Sequence, residues 1–524
     1  MVVVTELLAD LFQAGVQLWV HDGQLHYETA QGSLTPEQIA DLRAAKADVM
    51  TALLELQNAD RHPIALIPRS GTDTVPLTIQ QEWFWRAIQK YPTSNCLETY
   101  AWRLYGALNV HALRASLNEV VRRHEALRTR FVVIDGAPRQ QIDPPSEIPL
   151  PIVPCADQSQ QTGEERARHA VEEMSAQFMD LSTGPLLQAR LLKLSENDHV
   201  FALIVHHILI DASAQIILFR ELWTLYSELA AGRIPSLKEM PIQYADYAVW
   251  QRRTHLSRLR RQGNYWRTRL ARASPARFEM LDGSENGKFC NRKLEVAFGE
   301  PLSTNLRSLA RRERTTSAML VLAIYATVIA RSCDQRDFVI LFTTTGRHCS
   351  AHENMIGFLV WWFPLRIELT GEETYLDTVT LVTREFFAAL ENLDFGMVLD
   401  QRPGLMRGTL LQVDTWDSSD LTGTRMPSGW ETLQPPLTVE SFLFKPFVPD
   451  NVESEIRIAL GVMAGQQGMT AHLHYGGPDR IAEQWMHRFA QELQLVAEDV
   501  VRRPDRQWAS YDGGACVGRR VDAH

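Results

Sequence analysis

Two uninterrupted apolar runs, Val200 to Val205 and Phe338 to Phe342, each lead within a few residues to side chains able to do chemistry. The first continues as His206-His207-Ile208-Leu209-Ile210-Asp211-Ala212-Ser213, and the second reaches Gly346-Arg347. Short apolar runs of this kind read as buried strands, and helical and strand-like patterns alternate around both. The likeness between the halves predicts two similar lobes in a mixed α/β (α+β) chain. Length agrees, because 524 residues exceed what one core holds and imply about three to four compact units.

Neighbouring side chains on a strand point to opposite faces, so only one of His206 and His207 can face a given cavity. Histidine titrates near neutrality and can take a proton from an amine or a hydroxyl. Asp211 lies past the strand end, where it is better placed to hold the loop than to react. A His-His pair on its own is more often structural than catalytic.

The N-terminus carries its own punctuation. Leu7, Leu8, Leu11 and Phe12 share a helical face that Gly15 stops. Val16, Leu18 and Val20 then alternate with polar or amphipathic neighbours, Asp22-Gly23 follows, and Leu25 to Tyr27 returns. That is the pattern of a hairpin closed by a type I′ turn. Thr35 suits the N-cap of the next helix, with Pro36 at its first position, Gln38 completing a capping box and Leu34 and Ile39 as hydrophobic staple. This helix is predicted to run to about Gln57. Residues 1–57 therefore read as a small α-β-β-α unit whose hairpin edge can accept a partner strand. Arg43 and Lys46 on its second helix favour an acidic peptide. Residues 58–72 read as linker, 73–250 and 251–506 as the two lobes, and 507–524 as a frayed polar tail.

A net charge of -10 argues against a nucleic-acid partner, and Arg258-Leu259-Arg260-Arg261 reads as a solvated helix face. The six cysteines form no C-x-x-C pair, so no metal site or disulfide framework is expected. Neither a signal peptide nor a membrane span is legible. A cytoplasmic monomer is the expectation.

Phe201 to Ser213 resembles the H-H-x-x-x-D-G signature of nonribosomal peptide synthetase condensation domains. Leu77 to Trp85 is similar to that family's opening motif, Arg123-His124-Glu125-Ala126-Leu127-Arg128-Thr129-Arg130-Phe131 to R-H-E-x-L-R-T-x-F, and Tyr244 to Gln251 to the motif closing the first half. Ile356-Gly357-Phe358 with Pro364-Leu365-Arg366 resembles the second half's strand motif, and Arg407 to Gln412 weakly the last one. The motifs occur in the family's order. The resemblance implies two chloramphenicol-acetyltransferase-like lobes in a V-shaped pseudo-dimer, with a tunnel meeting at His207. It further implies an acyl transfer from a carrier-protein thioester to an amine or hydroxyl, giving an amide or ester. His207 would deprotonate or orient the nucleophile or stabilise the tetrahedral intermediate, His206 would pack structurally, and Asp211 would pair with Arg347. Ala212 and Ser213 would lie on the acceptor side. No cofactor would be permanently bound, since partner carriers supply the phosphopantetheine arms.

The N-terminal unit resembles the β-hairpin docking domains that receive the tail of an upstream acyl or peptidyl carrier chain, here through Val16, Leu18, Val20, Leu25, Tyr27, Arg43 and Lys46. The acceptor would be a downstream carrier or a free small-molecule nucleophile. No adenylation phosphate loop and no carrier serine motif is legible, so a free-standing enzyme acting in trans is expected. Two departures stand out. Ala212 replaces the usual glycine, and Trp361-Trp362 replaces an Asn-Thr pair, either narrowing the tunnel or packing in the core. Three alternatives carry less. An epimerase of the superfamily usually follows its carrier rather than a docking unit, and a non-catalytic recruitment module typically loses the histidines kept here. A coenzyme A-dependent plant-type acyltransferase, whose second motif Asp394-Phe395-Gly396 resembles, would leave the docking unit unexplained.

Overall fold

The computed structural model describes residues 16–21, 24–29, 34, 36–47, 49–50, 64, 74–90, 96–156, 162–278, 281, 290–347, 350–393, 403–406, 408–414, 438–445, 456–465, 468–477 and 480–511. In the N-terminal unit, strand Val16–His21 pairs antiparallel with Gln24–Thr29, with His21 opposite Gln24. That register leaves a two-residue connection, as the Asp-Gly pattern predicts. Helix Pro36–Ala44 follows. Leu34, Leu42 and Val49 are buried, while Tyr27, Arg43 and Lys46 are exposed and Leu25 is half-buried. The expected first helix, Thr35, and the side chains of Val16, Leu18 and Val20 lie outside the described residues, as does the chain from 51 to 57.

The first half is built on a five-stranded sheet in the order Thr438–Lys445, Leu97–Tyr105, Asp198–His206, Leu187–Ser195, Ile152–Pro154. Only the last pair is parallel. Helices Val110–Arg123 and Ala212–Ala230 pack together in this half. Trp102 is buried in its centre, stacked on Phe201 and edge-on to Phe219 and Trp223. The second half is a six-stranded mixed sheet: Cys290–Ala297, Gly468–Gly477, Ile458–Gly465, Thr409–Asp414, Asp337–Thr344, Trp361–Glu368. Helices Glu300–Arg312, Ser317–Cys333, Tyr375–Leu390 and Arg480–Arg502 complete its core. Among the described residues no single helix is long and apolar enough to cross a membrane, and the most apolar, Ser317–Cys333, is enclosed in that core.

The boundary between the halves is less simple than a cut at residue 250. Helix Tyr244–Leu270 runs straight through that position. Strand Thr438–Lys445 leaves the second half to pair with Leu97–Tyr105 of the first. Met355, Ile356, Phe358 and Leu359 likewise join the first half's buried cluster.

Two further differences from expectation have local causes. The sequence pattern predicts one helix over Ala112 to Leu127, but the helix spans Val110–Arg123 and a 3-10 turn Glu125–Arg128 follows. Its break at His124 coincides with a buried cluster in which Arg123 Nε donates to Glu221 Oε2 at 2.9 Å and His124 Nε2 lies 2.9 Å from the same oxygen. Burial opposes charge on Glu221, but the hydrogen bonds and charges of His124 and Arg123 outweigh it and bring its pKa down to about 2. The tail expected to fray from Gln507 instead packs as far as Tyr511. Trp508 is buried, and Arg331 Nη1 donates to the carbonyls of Trp508 and Tyr511. Residues 512–524 lie outside the described part.

Candidate active site

Strand Asp198–His206 ends at His206, and the chain turns at once into the 3-10 segment His207–Leu209. The two rings are thus separated by a change of backbone conformation as well as by strand alternation. His206 is 4% exposed and its Nδ1 accepts from Ile208 N at 3.2 Å. Burial, with His207 alongside, pulls its pKa to about 3, so its ring is neutral.

The His207 side chain retains 21% exposure. Its backbone is pinned by N–H donation to Cys96 O at 2.8 Å. Its ring stands edge-on to Phe84, on helix Ile79–Lys90 of the first half, and to Phe358 of the second, with centroids at 5.6 and 5.3 Å. The ring therefore sits at the seam between the halves.

Glu98, which no sequence motif singles out, places Oε1 3.0 Å from His207 Nδ1 by a bent approach. Its side chain is only 8% exposed. Tyr100 Oη donates to its other oxygen at 3.5 Å, and Gln215 Nε2 donates to the Tyr100 hydroxyl. Burial, reinforced by Glu98, raises the Tyr100 pKa well above its ordinary value, so that hydroxyl stays protonated. It is the one carboxylate in Leu97–Tyr105, a strand that the structure buries almost wholly.

Asp211 caps helix Ala212–Ala230 by accepting from Ala214 N at 2.8 Å. Its Oδ2 accepts from Arg347 Nη1 at 2.9 Å, Leu359 N at 2.8 Å and Val360 N at 3.1 Å. Arg347 is held by donation to Met355 O and Thr345 O. With side chains 4% and 8% exposed, this pair is a buried ionic bolt between the halves. Ala212 and Ser213 lie half-buried in the first turn of the helix that Asp211 caps.

Trp361 and Trp362 part company. Trp361 is buried in the second half's core. Trp362 meets Trp83 of the first half edge-on, centroids 5.2 Å apart at 68°. Trp361 thus lies inside the core, while Trp362 packs on its margin and bridges the seam.

Two glycines allow the close approach at this seam. Gly346 has φ +68°, and a Cβ there would lie 1.8 Å from Leu359 O; at Gly357 it would lie 2.1 Å from the Tyr244 ring. Tyr244 Oη donates to Phe358 O at 2.7 Å and bonds Thr78 Oγ1, so that ring cannot simply move aside. Gly346→Ala is expected to lower unfolding free energy by at least about 2 kcal/mol in urea denaturation. The control is Gly136→Ala, also at positive φ but with nothing within 4 Å, which should lose about 1 kcal/mol. Equal losses would mean that the Leu359 contact is not limiting.

Residues 72–399 match the family model of the condensation domain, and residues 4–55 that of the TubC N-terminal docking domain. A linear gramicidin synthase protein of Brevibacillus parabrevis is 30% identical over 88% of the chain, which spans 6% of that synthase's length. The isonitrile lipopeptide synthase of Mycobacterium tuberculosis is 30% identical over 69% of the chain and 15% of its own length. Among solved structures, the X-domain from teicoplanin biosynthesis superposes with TM-score 0.69 at 25% identity, covering 86% of this chain and 99% of that one. The EpoB cyclization-docking bidomain from Sorangium cellulosum superposes with TM-score 0.69 over 95% of this chain and 98% of its own. At 18% identity that likeness shows the fold alone.

Proposed function

The chain belongs to the condensation-domain family of nonribosomal peptide assembly lines and carries an N-terminal docking domain, and on that premise we propose that it transfers a carrier-bound acyl group to an amine or hydroxyl acceptor. Its two helix-backed sheets are the chloramphenicol-acetyltransferase-like halves of that fold. The observation that carries the reading is His207: a partly exposed imidazole at the seam of the halves, backed by a buried carboxylate. The thioester already activates the carbonyl carbon. His207 takes the acceptor's N–H or O–H proton as the new C–N or C–O bond forms, and the C–S bond then breaks to release the donor carrier's thiol. The phosphopantetheine arm belongs to the carrier and arrives with the substrate.

Intact mass spectrometry of an acyl-loaded carrier mixed with the protein and candidate amines and alcohols tests this directly. Loss of the acyl mass matched by an acylated acceptor supports the reading. Carrier that binds but keeps its acyl group would favour a recruitment module.

The donor carrier is proposed to dock on the hairpin Val16–His21/Gln24–Thr29 by strand addition, with Tyr27 exposed on the hairpin and Arg43 and Lys46 exposed on the helical segment that follows. Tethering raises the local carrier concentration to about millimolar for a short flexible linker. Deleting residues 1–56 is therefore expected to slow transfer from the cognate carrier at micromolar concentration, by about 10-fold or more, with recovery as carrier is raised. Transfer from a small-molecule thioester should be unchanged. Equal rates for truncated and full-length protein at micromolar carrier would give the unit another task.

A further inference from the structure

Resting on the acyl transfer proposed above, we propose that Glu98 is the positioning residue of His207: it keeps the proton on Nδ1, so that Nε2 presents its lone pair to the acceptor. Glu98 lies opposite Val205 in the strand pairing, so its side chain reaches the turn at His207 from the adjacent strand. Among the described residues His207 is the only basic side chain at ion-pair distance from it, at 3.0 Å. A carboxylate this deeply buried needs a donor, since leaving one unpaired costs several kcal/mol as an order of magnitude. Tyr100 supplies one at 3.5 Å, the outer limit of a hydrogen bond. Were Glu98 merely a core carboxylate satisfied by Tyr100, it would have no reason to sit closer to the imidazole than to the phenol.

The polar side chains described nearest in the chain and at the seam have other commitments. His206 has its Nδ1 committed to Ile208 N. Asp211 is occupied by Arg347 and three backbone amides. Tyr244 is bonded to Thr78 and Phe358 O, and Phe84 and Phe358 offer only ring faces and edges. The tautomer of a histidine is set by the group its other nitrogen faces, and Glu98 Oε1, at ion-pair distance from Nδ1, is the acceptor placed to hold that proton.

The consequence is greatest in the transition state. Nε2 takes the acceptor's proton as the C–N or C–O bond forms and returns it to the sulfur as the C–S bond breaks. In between the ring is a cation facing the Glu98 carboxyl oxygen, an attraction that the neutral ring of the ground state lacks. The bent approach is compatible with tightening once substrate is bound.

Three variants and one spectrum test it. Glu98→Gln keeps shape and removes charge; it is expected to lower kcat on the order of 100-fold, with KM for the donor carrier within about threefold and an unchanged melting curve. Glu98→Asp, which keeps the charge, should recover part of the rate. Nitrogen-15 spectra of labelled histidine, with the His207 signals identified by their loss in His207→Gln, should show Nδ1 protonated in the unaltered protein. Glu98→Ala should shift that ring away from this tautomer. A normal kcat in Glu98→Gln, or a ring spectrum indifferent to Glu98, would overturn the assignment. The spectrum is recorded without substrate, so it judges Glu98 even if the condensing activity itself were not found.

Discussion

His207→Ala is expected to remove acyl transfer, by at least about 100-fold in single-turnover rate, while leaving the folded state in place. The reason lies in what the ring touches. It is partly exposed, and it rests against the edges of Phe84 and Phe358 and the Glu98 oxygen. Its backbone bonds to Cys96 and Ile210 do not depend on the side chain. Truncation therefore takes away the proton acceptor without opening the core. His206→Ala is the contrasting case. Its ring is fully enclosed and its Nδ1 satisfies Ile208 N, so removing it orphans a buried donor at a cost of about 1–3 kcal/mol and leaves a cavity besides. Stopped-flow transfer from a loaded carrier, read beside thermal unfolding, separates the two. A His207→Ala protein with near-normal transfer would put the reactive centre elsewhere.

The contrast shows what the sequence could and could not convey. The motif order pointed to His207, Asp211 and Arg347 because each is tied to a local signal: a strand running out into a polar turn, or a glycine before a basic residue. Alternation separates the two histidines, and it separates Trp361 from Trp362 as well; they occupy adjacent positions of one strand and take opposite directions. Glu98 escaped because nothing local separates a buried carboxylate from an exposed one on a strand. Its burial depends on the sheet partner at Val205, about 107 residues away in the register of that pairing. The crossing of Thr438–Lys445 into the first half is illegible for the same reason: strand pattern specifies a face, not a partner. The tail from Gln507 looked polar because the composition of the whole stretch hides one tryptophan; Trp508 is buried, and Arg331, far away in sequence, holds the carbonyls of Trp508 and Tyr511.

Removing either member of the Asp211–Arg347 pair is expected to cost about 3–5 kcal/mol, since each leaves the other a buried charge without its partner. Screening does not soften this much, because the side chains are only 4% and 8% exposed. Asp211→Ala loses more than the pair. It also strips the N-cap of helix Ala212–Ala230, worth about 1 kcal/mol, and frees the amides of Leu359 and Val360. Asp211→Asn separates these contributions: asparagine still caps the helix but brings no charge to Arg347, so what it loses is chiefly the bolt between the halves. The double variant Asp211→Ala/Arg347→Ala should be less destabilised than the sum of the single ones, by about 0.5–3 kcal/mol. Transfer should fall in each through a loosened seam, because Phe358, Leu359 and His207 are held in register by the same loop that Asp211 grips. Urea denaturation of the four proteins in the cycle gives the coupling energy. Strictly additive losses would mean that the two charges stand close without depending on each other, and that the halves are held by Tyr244 and the shared strand instead.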